Sequence, residues 1–138
     1  FGQCENPGPL FETGCPPPES GPVVGLTSVG WDAPAQDDYD RIKKFSDGVS
    51  AVRISMSGVD GLHSHQSFSF PGVFRHDGLT VTFWRDLAAT MAFAYGPGLH
   101  RMQVKLQRDE HLGDRTSFTR FQVLESEGTW HGTDPLRF

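Results

Sequence analysis

The stretch LTVTFWRDLAATMAFAYGPGLH, Leu79–His100, decides the fold. Leu79, Val81 and Phe83 alternate with Thr80 and Thr82, the period of a strand with one buried face. Asp86 stands ahead of Leu87-Ala88-Ala89, where a carboxylate can accept from an early helical amide. Leu87, Met91, Ala94 and Tyr95 then recur at helical spacing. Gly96-Pro97-Gly98 breaks that helix, because proline lacks the amide donor and glycine leaves the helical backbone freely. Leu99–Arg108 resumes the helical period, with Leu99, Met102 and Leu106 expected inward.

Working backwards, His76-Asp77-Gly78 reads as a tight turn and Ser67–Phe70 as the strand that enters it. Gly58–His63 reads as a loop. Ser50–Ser57 alternates, with Val52, Ile54 and Met56 on one face, and is expected as a half-buried strand. Ala35–Asp47 carries Tyr39, Ile42 and Phe45 at helical spacing, and Asp47-Gly48 is expected to end that helix. Pro22–Gly30 is a β-branched strand bounded by proline and glycine. At the other end, Ser117–Leu124 alternates, with Thr119, Phe121 and Val123 as the expected core face.

Strand, helix, strands, helix, strand is the βαββαβ plan of an α+β, ferredoxin-like domain: an antiparallel sheet with helices on one face. The bare face needs a cover. A homodimer of the dimeric α/β-barrel type would supply it, and so would a protein partner. The expected organisation is an extended arm over 1–21 and a single domain over 22–138 whose last residues form a tail.

The 138 residues suffice for one core, and the net charge of −5 argues against nucleic acid as a partner. No apolar run is long enough for a transmembrane segment. Chain start at Phe1 reads as a processed or partial terminus. The arm holds five of the ten prolines and both cysteines, Cys4 and Cys15. A disulfide between them would imply an oxidising, extracytoplasmic (periplasmic) compartment; free thiols would fit a cytoplasmic tail.

From Thr80 to Phe138 the motifs Val81-Thr82-Phe83-Trp84-Arg85-Asp86, Met91-Ala92-Phe93-Ala94-Tyr95, Gly98-Leu99-His100, Phe118-Thr119-Arg120-Phe121 and Gly128-Thr129-Trp130-His131-Gly132-Thr133-Asp134-Pro135-Leu136 follow in order. This part of the chain resembles the C-terminal half of the spheroidene monooxygenase family, haem-dependent carotenoid oxygenases of phototrophic bacteria. The resemblance implies a dimeric α/β barrel, a haem cofactor and an apolar polyene substrate. It also implies that His100 matches a histidine of the family pattern.

A neutral imidazole at His100 can bind haem iron axially; it can also simply cap the helix break. Arg53, Arg85 and Arg101 can pair with haem propionates, or with surface carboxylates such as Asp86. His63-x-His65 would share one strand face as a metal pair if that stretch is extended, with His76 a residue the hairpin could bring near; otherwise the stretch is an exposed loop. The aromatic residues from Phe68 to Trp130 can wall an apolar pocket or form an ordinary core. Two functions follow. One is haem-dependent oxygenation of a carotenoid or similar polyene. The other is a non-catalytic accessory subunit docked on the extracytoplasmic side of a photosynthetic membrane complex.

Overall fold

Strand β1 (Val23–Trp31) is flanked on both sides in a four-stranded antiparallel sheet. After it come α1 (Tyr39–Ser55), β2 (Leu62–Pro71), β3 (His76–Trp84), α2 (Leu87–Tyr95), α3 (Leu99–Asp109) and β4 (Arg115–Gln122). The sheet order is β2-β3-β1-β4. The computed structural model describes residues 21–33, 36–72, 76–134 and 136. Residues 1–20 of the expected arm, with Cys4 and Cys15, lie outside them, as do Ala35 and Phe74.

The α+β, ferredoxin-like architecture is the one expected, with four corrections inside it. Ser50–Ser57 is not a strand: α1 runs through Gly48 to Ser55. Ile42, Phe45, Val49, Val52 and Met56 recur at intervals of three and four, and this longer pattern overrides the short alternation. Val52 and Met56 are buried, while Ile54 is 79% exposed. Gly48 lies within the helix, and the Gln103 carboxamide of α3 stands where its Cβ would be.

His76-Asp77-Gly78 is not the turn but the start of β3. Phe70 pairs with Asp77 and Pro71 with His76, so the turn comes earlier. In α3, Leu99 and Met102 point outward rather than inward. On β4 the expected face is reversed, as the register shows. Val23 and Trp84 pack on Val52, Met56 and Ala89, so they face the helices. By alternation Thr27, Thr80, Thr82 and Phe118 share that side, and Thr119 and Phe121 lie on the bare side with Val24, Leu26, Val81 and Phe83. The bare face is therefore the more apolar of the two. The Trp130 ring covers one part of it, edge-on to Phe83 at 5.4 Å and to Phe68 at 6.2 Å.

Two tryptophans close the ends of the layer between sheet and helices. At one end Trp84 is 2% exposed, and its indole Nε1 donates to Thr82 Oγ1 at 2.8 Å. At the other, Trp31 meets Phe45 edge-on at 5.4 Å and donates to the Leu112 carbonyl at 2.6 Å. The Asp86 cap forms as expected, its Oδ1 accepting from the Ala89 amide at 2.7 Å.

Candidate active site

Between the two tryptophan ends the layer is hollow. A cavity of about 510 Å³ lies between the sheet and all three helices. Its sheet wall carries hydroxyls, from Thr27, Thr80, Thr82 and Thr116. On the helix side, α1 and α2 contribute apolar Phe45, Val49, Val52 and Phe93, with Met56 at the end of α1. This explains the reversed polarity of the sheet: its helix side faces a hollow rather than packed side chains.

His100 lines this cavity. Gly98 takes φ +154°, a backbone region open in practice to glycine alone, and so starts α3 immediately after the break. That places His100 Nδ1 3.2 Å from the Ala94 carbonyl oxygen, at the end of α2. A carbonyl only accepts, so Nδ1 carries the proton and Nε2 keeps its lone pair. Phe93 holds the ring at 4.9 Å between centroids. Burial lowers the His100 pKa, against the opposing effect of the Ala94 bond. The imidazole is thus held neutral, in one tautomer and one orientation.

Gln103, a turn further along α3, also lines the cavity, and its Nε2 is buried with no hydrogen-bond partner. Its carboxamide packs against Gly48 of α1 rather than standing open to the cavity. Val104 and Phe118 line the cavity yet reach solvent, at 40% and 43% exposure, and stand at its mouth.

The arginines separate. Arg53 and Arg108 line the cavity. Arg85 makes a fork to Asp60 at 3.1 and 3.0 Å, and a further bond to Asp86 at 3.0 Å. Those carboxylates raise its pKa. Arg101 is exposed and is not part of the cavity wall. His65 faces the helix side of β2, where burial and then the Arg53 charge lower its pKa. His76 packs tilted on Trp31 with ring centroids 5.5 Å apart, near the hairpin turn and several residue pairs from His65, so the hairpin does not bring the two together. Among the described residues no cluster of three metal-ligating side chains forms.

Sequence reasoning missed Gln103 and Arg108. His100, Gln103, Val104 and Gln107 recur at helical spacing, but a mostly polar stripe reads as a solvated face. Only the hollow beneath it makes that stripe a wall.

The fold is that of ferredoxin-like α+β proteins. A candidate antibiotic biosynthesis monooxygenase from Deinococcus radiodurans superposes with a TM-score of 0.61 at 14% identity, over 78% of this chain and 98% of that one. A dimeric ferredoxin-like protein of unknown function from Thermobifida fusca does so with a TM-score of 0.56 at 12% identity, over 76% and 93%. In sequence, the chain is similar to the spheroidene monooxygenase of Rhodobacter capsulatus, 36% identical over 58 residues. That match covers 42% of this chain and 24% of the relative, so it spans about a quarter of that protein's length. No family profile matches the chain.

Proposed function

We propose that the chain is an oxygenase domain that takes an apolar substrate of the carotenoid type into the cavity beside His100. One observation carries this reading. A neutral imidazole, its Nδ1–H committed to the Ala94 carbonyl, lines a largely apolar cavity with Nε2 left as a ligand or acceptor. Metal-bound histidines are usually oriented in this way, through a hydrogen bond from the other ring nitrogen. The 36% identity to spheroidene monooxygenase adds to it.

The donor set fits haem: His100 as axial ligand, with Arg53 and Arg108 in the same wall for the propionates. Haem, when bound, would supply the iron that activates dioxygen. The chain's own residues do the rest. Phe45, Val49 and Phe93 exclude water and hold the hydrocarbon. The overall change inserts one oxygen atom into a C–H bond. The second oxygen leaves as water, with two protons and two electrons from an external reductant.

The bare sheet face fits a homodimer, since Leu26 and Val81 at its centre are apolar and only half-buried. A disulfide between Cys4 and Cys15 remains our expectation for an extracytoplasmic protein. Mass spectrometry of native material with and without reductant tests it, and free thiols would remove that assignment.

The reading is tested by incubating the haem-loaded protein with an acyclic carotenoid, a reductant and dioxygen. A product heavier by one oxygen, absent with His100→Ala, is expected. A colourless native protein bound stoichiometrically to a membrane complex would instead make it an accessory subunit.

A further inference from the structure

The outward face of α2 holds no charged side chain. Ala88, Met91, Ala92 and Tyr95 are all exposed along it, although α2 turns Thr90, Phe93 and Ala94 toward the cavity. The apolar surface continues around the break through Pro97 to Leu99 and Met102, which are 45% and 66% exposed. A soluble helix normally carries charge on its outer face, so an uninterrupted stripe of this kind marks a binding surface.

Cations border it. Arg101 and Lys105 lie on the outer side of α3, next to Met102. Arg120 of β4 donates to the Met91 sulfur and lies over the Phe118 ring at 5.8 Å. Phe118 stands at the cavity mouth, so Arg120 bridges from the stripe at Met91 to the opening.

We propose that this corner, the outer face of α2 with the start of α3, docks the protein on an anionic lipid bilayer. An apolar helix face bordered by arginine and lysine, with a tyrosine at its end, has the chemistry of an interfacial helix. Apolar side chains enter the headgroup boundary while the cations meet lipid phosphates. The docked orientation brings the mouth to the membrane surface, where a substrate of the proposed class is dissolved. The inference rests on the oxygenase reading for its purpose, but its test needs neither haem nor turnover, so the two can fail separately.

The test is co-sedimentation of the full chain with sucrose-loaded vesicles. One set is phosphatidylcholine alone; the other has one part phosphatidylglycerol to three parts phosphatidylcholine. Binding to the anionic vesicles is expected, weaker at high salt and reduced at least ~10-fold in Met91→Asp/Leu99→Asp and several-fold in Arg101→Glu/Lys105→Glu. Ile54→Asp, exposed on α1, should bind as the unaltered chain does, and circular dichroism confirms that each variant is folded. No binding to either vesicle overturns the proposal, as does equal binding by Met91→Asp/Leu99→Asp. If the same substitutions abolish self-association in sedimentation without lipid, and no vesicle binding is seen, the stripe is a protein interface instead.

Discussion

The carboxamide of Gln103 on α3 occupies the space that a Cβ at Gly48 on α1 would fill. The glycine is therefore a point of close approach between two helices, not the end of one. Alanine is favoured over glycine in a helix by about 0.5–1 kcal/mol. Gly48→Ala alone should show less than this gain, because the Gln103 side chain must swing away. In a Gln103→Ala background the full gain should appear. A double-mutant cycle by urea unfolding measures the difference, and strictly additive effects would show that the two residues do not meet.

Trp84→Ala should lower stability by about 3–5 kcal/mol. It removes a large side chain packed on Val23, Val52, Met56 and Ala89, and it leaves Thr82 Oγ1 without the indole donor. Denaturant midpoints check this directly.

How far the fold could be read from the sequence follows from these same residues. The stretch from β3 through the Asp86 cap to the glycine–proline break was legible because each signal is local: strict alternation, a carboxylate ahead of an apolar run, a missing donor. The second half of α1 was not. Val52, Ile54 and Met56 satisfy a strand alternation, and the interval of fourteen residues from Ile42 to Met56 shows only when Gly48 is read through. A helix tolerates glycine at modest cost, and what suits glycine here is the contact with α3, far along the chain. The candidate site was legible at His100, through the break and the resemblance. Gln103 and Arg108 were hidden, because the polarity of a cavity wall mimics that of a solvated surface.

The Asp86 carboxyl is held below its ordinary pKa, chiefly by the Ala89 amide and then by Arg85. Its stabilising effect is complete above the unfolded carboxylate pKa, near 4, and is lost as pH falls through the lower folded value. Asp86→Ala should lower the melting temperature by a few degrees at about pH 7. In acid the gap from the unaltered protein should close. A gap that stays constant with pH would contradict the cap.

On the bare sheet face, Leu26→Glu places a charge among Val24, Val81 and Phe121. Sedimentation equilibrium should find the unaltered chain dimeric and this variant monomeric and folded. A dimer that survives the substitution would move the contact elsewhere.

Burial lowers the His100 pKa, so the folded protein binds fewer protons at this site than the unfolded chain does below about pH 6.5. Stability should therefore fall as pH drops from about 7 to about 5.5. His65 shifts in the same direction and adds to the fall. His100→Gln should lose less over that interval, and urea midpoints at the two pH values test it.

The assignment of His100 as the ligand-bearing group of the cavity is tested most directly by titrating purified protein with haemin and following the Soret band. The unaltered chain should give a saturable shift with one equivalent. His100→Ala should abolish it, Arg53→Ala/Arg108→Ala should weaken it several-fold, and Arg85→Ala should leave it unchanged. An unaltered chain with no saturable shift, or a His100→Ala variant that titrates identically, would contradict the assignment.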